Sequence, residues 1–348
     1  MPYNELRKDY LLNRWVVIAT ERARRPTDFA KQRTPQAQTS ICPLCPGNEH
    51  LTPPAVLVYL PASGGGVRKD QEQGDFRSKN WLTRTIPNMY PAFAPPKDHA
   101  DTKQIMKTLS FGYAIGQHEV IVESPNHNDH PADADPAQLI HVINTYKDRL
   151  ADIAQKPYIQ HVQIFRNHGI EAGASLSHAH SQIIATPFLP TTIDRELAAS
   201  KSYENQHDRC VFCDLIKQES ETPRLILDNE YFVVFAPYAS VNPMEFWIVP
   251  KRHAINILDL SQAETAALAQ TLKTTLKALK TLVNDPPYNY GIHLAINKDA
   301  QKYYHWHLEV YPHLAIWAGF EKSTGMYINT VTPETAAQEL KKAITENP

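Results

Sequence analysis

Apolar residues recur along this chain in two rhythms, as short compact runs and at intervals of three to four in two long segments. The runs Glu119-Val120-Ile121-Val122-Glu123, Tyr231-Phe232-Val233-Val234-Phe235 and Phe246-Trp247-Ile248-Val249 predict strands. From 136 to about 154, Leu139, Ile140, Ile143, Tyr146 and Leu150 fall at helical spacing. A second helix is expected from 261 to about 282, opened by a capping box of Ser261 and Glu264. Another strand follows each helix, at Val162-Gln163-Ile164-Phe165 and at Ile292-His293-Leu294-Ala295-Ile296, and each ends near an asparagine, Asn167 or Asn297. Then comes Ser175-Leu176-Ser177-His178-Ala179-His180-Ser181-Gln182. Read as extended chain, it sets His178, His180 and Gln182 on one face.

The order of elements occurs twice. Cys42-Pro43-Leu44-Cys45 precedes a strand closed by His127, and Cys210-Val211-Phe212-Cys213 precedes strands closed by His253. His178 follows His127 by 51 positions, and His305 follows His253 by 52. His305-Trp306-His307-Leu308-Glu309 is a second alternating polar row. The pattern predicts a duplicated α+β unit, each copy an antiparallel sheet with a long helix, the two packed as a pseudo-dimer. The repeats are expected over residues 1–195 and 196–348.

Charge narrows the function. With 35 basic against 37 acidic residues, the chain gives no general electrostatic reason to bind nucleic acid or an anionic membrane. No window approaches the roughly 18 unbroken apolar residues of a spanning helix, and the N-terminus has no hydrophobic signal core, so a cytoplasmic protein is expected. Four cysteines in two CxxC pairs make a poor disulfide framework, although one pair alone could be a redox dithiol. Two cysteines with two histidines supply a tetrahedral zinc set. One zinc is expected at Cys42, Cys45, His127 and His178, and a second at Cys210, Cys213, His253 and His305.

If His178 serves a metal, His180 is left free beside a rigid neighbour, and a fixed imidazole is a nucleophile. Gln182 can donate to a phosphate oxygen without adding charge. Asn167-His168-Gly169 and Gly173-Ala174-Ser175 offer small residues whose N–H groups can approach a phosphate. These parts suit nucleotidyl transfer. His50, His99, His118, His130, His141, His161, His207 and His313 read as ordinary surface or hydrogen-bonded histidines. Ala62-Ser63-Gly64-Gly65-Gly66-Val67-Arg68-Lys69 lacks the spacing of a phosphate loop and reads as a mobile surface loop.

His178-Ala179-His180-Ser181-Gln182 resembles the HxHxQ motif of the galactose-1-phosphate uridylyltransferase branch of the histidine triad superfamily, which includes ADP-glucose phosphorylases. The likeness extends through Asn13-Arg14-Trp15-Val16-Val17-Ile18, Arg22-Ala23-Arg24-Arg25-Pro26, Pro87-Asn88-Met89-Tyr90-Pro91, Gly319-Phe320-Glu321 and Thr324-Gly325-Met326-Tyr327-Ile328-Asn329. It implies two tandem histidine-triad-like repeats and a ping-pong reaction. His180 would attack the α-phosphate of a nucleotide sugar, releasing a sugar 1-phosphate, and Gln182 would stabilise the nucleotidyl-histidine. Arg22 and Arg25 would meet phosphate, Asn88 and Tyr90 the base and ribose, and Phe320 and Glu321 the hexose. Glu309 stands where Gln182 stands in the first half; an acid there repels phosphate, so His307 is expected to be structural.

Uridylyl transfer between UDP-glucose or UDP-galactose and a sugar 1-phosphate is the first expectation. Adenylyl transfer from ADP-glucose to phosphate is the second, suggested by alanine and serine in His178-Ala179-His180-Ser181-Gln182 and by the second Cys pair. A catalytically silent zinc-stabilised nucleotide-binding protein is the alternative of another class. Members of the family often pair so that a neighbour completes the sugar site, which allows a homodimer.

Overall fold

The computed structural model describes residues 4–19, 41–96 and 114–346. Its strands are β1 Glu5–Lys8, β2 Trp15–Ile18, β3 Leu57–Pro61, β4 Val67–Asp70, β5 Thr83–Pro87, β6 Gln117–Val122, β7 His161–His168, β8 His180–Thr186, β9 Leu225–Asp228, β10 Phe232–Phe235, β11 Phe246–Pro250, β12 Tyr288–His293, β13 His307–Pro312 and β14 Tyr327–Asn329. The α-helices are α1 Pro136–Ala154, α2 Thr191–His207, α3 Val211–Glu219, α4 Gln262–Val283, α5 Gly319–Thr324 and α6 Pro333–Glu346. Among the described residues, no helix is long and apolar enough to cross a membrane.

Eleven strands form one sheet in the order β4-β3-β5-β6-β8-β7-β12-β13-β11-β10-β9. Outward from the central β7–β12 pair, one side runs β7, β8, β6, β5 and the other β12, β13, β11, β10, which is the duplication seen in the sequence. Across the centre Asn167 faces Asn289 and Arg166 faces Tyr290. A second sheet, β1-β2-β14, joins the two ends of the chain through the parallel β2–β14 pair.

Both long helices lie on one face. α1 starts where Asp135 caps Ala137 N–H and Pro136 fills the first turn; α4 starts with the Ser261–Glu264 capping box. Ile143, Tyr146 and Leu150 of α1 and Leu268, Leu272, Leu276 and Leu279 of α4 pack with Ile121, Ile183, Ile248 and Leu308 in a single core. β10 alternates between this core, through Phe232 and Val234, and a second one with α3, through Val233 and Phe235. A strand covered on both sides reads as a continuous apolar run, which is why Phe232-Val233-Val234-Phe235 shows no alternation.

Three expectations change. The strand expected at 292–296 is Tyr288–His293, starting just after Pro286-Pro287; beyond it Ala295 N–H leaves the sheet for Ile255 O. The expected loop at 62–69 is the turn of a β3–β4 hairpin, with Pro61 opposite Val67 and Ala62 N–H bonded to Gly66 O. Asn297 lies outside the strand, where it caps the 3-10 helix Lys298–Lys302, and the residue that faces Asn167 across the central strand pair is Asn289.

Candidate active site and metal centres

Residues of β8 alternate between the helices and the opposite face. Ile183 and Ala185 enter the core, and Ser181 Oγ lies 2.9 Å from Tyr146 OH of α1. His180 and Gln182 therefore project away from the helices. The row of three predicted by period two is a row of two within the strand, because β8 begins at His180 and His178 sits in the bend before it. His178 accordingly turns to another task.

In the first centre, Cys45 Sγ lies 3.3 Å from His127 Nδ1 and 3.4 Å from His178 Nδ1, and Cys42 Sγ lies 3.7 Å from His178 Nδ1. The far nitrogens are both bonded outward, His127 Nε2 to Ser177 Oγ at 2.8 Å and His178 Nε2 to Ser124 O at 2.8 Å. A carbonyl only accepts, so His178 carries its proton on Nε2 and turns its Nδ1 lone pair to the sulfurs. The second centre repeats this arrangement. His253 and His305 direct Nδ1 to Cys213 at 3.4 and 3.7 Å, and their Nε2 groups meet Gln301 O at 2.7 Å and Pro250 O at 2.8 Å. In each group all four donor atoms lie within 4.8 Å of one another. This donor set, with both imidazoles oriented by outer partners, fits a tetrahedral zinc.

His180 Nδ1 lies 2.7 Å from His178 O, so its proton is on Nδ1, and among the described residues no hydrogen bond engages the Nε2 lone pair. Burial holds the ring below its ordinary pKa, which keeps it neutral and nucleophilic. Arg166, fully buried, bonds His180 O from beneath at 3.1 Å, pairs with Glu123, and reaches His130 Nδ1 at 2.7 Å. The backbone and the ring of His180 are thereby each held by a hydrogen bond.

The other predicted residues are placed unevenly. Asn88 follows β5; its Oδ1 accepts Tyr90 N–H at 2.8 Å and its Nδ2 lies 3.1 Å from His118 Nε2. Tyr90 is 86% exposed. Asn167 Oδ1 accepts from Asn289 Nδ2 at 2.7 Å. Gly173, at φ 87°, ends the 3-10 turn Ile170–Ala172, but its N–H goes to Ile170 O and that of Ala174 to Gly169 O, so these two amides serve the turn, not a phosphate. Ser175 is exposed beside them. Phe320 is exposed, and Glu321 Oε2 caps Ala318 N–H at 3.0 Å at the start of α5. Among the described residues no hydrogen bond or ring contact joins either to His180 or Gln182. Arg22 and Arg25 lie outside the described residues.

Two features escaped the sequence reading. His118, set aside as ordinary, lies 2.8 Å from Gln182 Oε1 through its Nε2. Glu196, His293, His307 and Glu309 form a third buried group of metal-capable donors. They are already paired: His293 Nδ1 with Glu196 at 3.0 Å, and His307 Nε2 with Glu309 at 3.1 Å. Burial would lower His293, yet Glu196 and Glu309 outweigh it and raise it to about 9. Burial would raise Glu309, yet His293 and the His307 and Tyr311 bonds take it down to about 2. The His307–Glu309 alternation was visible in the sequence, whereas nothing tied Glu196 on α2 to it.

Two family models match, the N-terminal domain of galactose-1-phosphate uridyl transferase over residues 68–190 and its C-terminal domain over 196–346. An ADP-glucose phosphorylase of Arabidopsis thaliana is 36% identical over 97% of this chain and 92% of its own. A galactose-1-phosphate uridylyltransferase of Thermotoga maritima is 28% identical over 98% of this chain and 99% of its own. The crystal structure of an ADP-glucose phosphorylase from Arabidopsis thaliana with bound ADP-glucose superposes with a TM-score of 0.79 at 32% identity, covering 98% of this chain and 99% of that one. A uridylyltransferase structure superposes with a TM-score of 0.72 at 26% identity, covering 98% and 99%. With both halves matched and the site residues placed as described, the chain belongs to the galactose-1-phosphate uridyl transferase family, a family of nucleotidyltransferases.

Proposed function

We propose that the protein transfers an adenylyl group from ADP-glucose to orthophosphate by double displacement, with His180 as nucleophile and Gln182 as hydrogen-bond donor. The observation that carries the reading is the His180 ring itself: neutral, with Nδ1–H held by His178 O and Nε2 free. Nε2 attacks the α-phosphorus, the bond from that phosphorus to the bridging oxygen breaks, and glucose 1-phosphate leaves with the oxygen. An orthophosphate oxygen then attacks the same phosphorus, the P–N bond breaks, and ADP forms with the free imidazole restored. Throughout, the His178 carbonyl steadies the positive charge the ring acquires. Gln182 N–H meets the oxygen on which charge builds.

Cys42, Cys45, His127 and His178 would hold a zinc, as would Cys210, Cys213, His253 and His305. A bound zinc would supply a fixed anchor for the residue beside the nucleophile. Asn88, Tyr90, Asn167 and Ser175 are assigned to the nucleoside and phosphates, with Arg22 and Arg25; Gly173 shapes the turn beneath them. Phe320 and Glu321 are assigned to the sugar. The reading takes 1–195 as the catalytic repeat and 196–348 as its partner. In that partner His307 Nε2 is engaged by Glu309, which supports a structural role.

Adenine is favoured over uracil by the 36% identity to the ADP-glucose phosphorylase against 28% for the uridylyltransferase, over nearly equal lengths. Uridylyl transfer from UDP-glucose to galactose 1-phosphate is the second reading, supported by the family models that match both halves. Glucose-labelled ADP-glucose and UDP-glucose, each with orthophosphate or galactose 1-phosphate, separate the two. Labelled glucose 1-phosphate released only from ADP-glucose with orthophosphate is expected. Release from UDP-glucose with galactose 1-phosphate would reverse the assignment, and release from neither would point to a silent nucleotide-binding protein.

A further inference from the structure

His118 reaches the active site from β6, the strand next to β8. It shares a face with Val120 and Val122, which pack in the cluster opposite the helices. Its Nδ1 lies 3.1 Å from Ala92 N, and a backbone amide can only donate, so Nδ1 is the accepting nitrogen. The proton of the neutral ring is therefore on Nε2, which lies 2.8 Å from Gln182 Oε1. With its oxygen so engaged, the Gln182 carboxamide has one direction left for its NH2 group. Asn88 Nδ2, 3.1 Å from the same nitrogen, is a donor facing a donor in this tautomer and keeps its hydrogens for another acceptor.

We propose that His118 is the positioning residue for Gln182: its Nε2–H holds the glutamine oxygen so that the amide NH2 faces the phosphate being transferred. The inference rests on the nucleotidyl-transfer reading above. It also links the segment 88–92 to the reacting centre, because His118 O accepts Asn88 N–H at 2.9 Å while its ring accepts Ala92 N–H. A glutamine free to flip could also turn its oxygen, an acceptor, toward the phosphate oxygens. The loss would fall on the transition state, where charge is greatest, and leave ground-state binding alone.

The test uses the full chain with ADP-glucose and orthophosphate. His118→Leu removes the donor, whereas His118→Gln keeps an N–H near the place of Nε2. For His118→Leu kcat is expected to fall by about 10- to 100-fold with KM for ADP-glucose unchanged within about 3-fold, against the roughly 100-fold cost of losing such a donor altogether. His118→Gln is expected to restore most of kcat, and His118→Leu to have no further effect in a Gln182→Ala background. Effects that multiply in the double variant, a loss confined to KM, or no recovery in His118→Gln would each overturn the proposal. If His118→Leu does not fold, His118→Ala takes its place. Wild-type protein that transfers no nucleotide from either donor overturns the function with it; full wild-type activity and unaltered kcat in His118→Leu overturns the role of His118 alone.

Discussion

At the residue scale the chemistry depends on one proton being on one nitrogen. His178 O fixes Nδ1–H of His180, and burial disfavours the imidazolium, so the lone pair that the proposed reaction uses is the one on Nε2. His180→Gly is expected to lower nucleotidyl transfer by at least about 10³-fold in an initial-rate assay, as removal of a nucleophile that acts within a unit does. Beneath it, Arg166 and Glu123 are a fully buried pair. Arg166→Met leaves Glu123 as an uncompensated buried charge and should cost about 3–5 kcal/mol in denaturant unfolding. Replacing both partners, Arg166→Met with Glu123→Gln, should recover a good part of that. Glu245 is one residue that ties stability to pH. Burial, with the like charge of Glu309, raises its pKa from the ordinary 4.5 to about 7, while its Oε2 accepts from the amides of Val241 and Asn242. The fold holds this proton more tightly than the unfolded chain, so the stability that Glu245 contributes falls as pH rises from about 4.5 to about 7 and then levels. Glu245→Gln keeps an accepting oxygen, and its gain in Tm over wild type should be larger at pH 8 than at pH 5.

At the element scale, legibility followed how local each signal is. The capping box of α4 and the Asp135-Pro136 start of α1 lie within four residues, and both helices begin where the sequence places them. The hairpin arm Leu57–Pro61 is apolar throughout and was legible, whereas the other arm, Val67–Asp70, and the strand Thr83–Pro87 were missed because charged residues break their apolar pattern. Arg84 is buried there against Glu72 at 2.6 Å, an ion pair that only the fold completes. The site divides in the same way. His180 and Gln182 are two apart on one strand, and each CxxC is self-evident, whereas His118 meets Gln182 only because β6 and β8 are neighbours in the sheet. Gly173 and Ala174 were assigned to phosphate from their size, and nothing in the sequence says that their N–H groups close a turn. Leu272 of α4 sits in the core shared by both repeats. Leu272→Ala should destabilise by about 2–5 kcal/mol without changing the relative rates with the two donors, measured by unfolding and by the donor ratio.

At the scale of the whole molecule, one continuous sheet carries two copies of a Cys–His centre, and the proposed transfer uses one of them. The Cys–His centre is the same in both halves, but the histidine beside it is free in one and held by Glu309 in the other. Two zinc ions per chain are therefore expected by elemental analysis, although the proposed reaction takes place in one half. Removing them with a chelator should lower Tm and, through His178, the transfer rate. The central claim is that His180 becomes covalently loaded. Its most direct test is the intact mass of the protein after mixing with ADP-glucose in the absence of phosphate, followed by peptide mapping. The account predicts a mass gain of one adenylyl group, located on the peptide that contains His180, lost on adding orthophosphate and missing in His180→Gly. An unchanged mass during demonstrable turnover, or an adduct on any other residue, would contradict it.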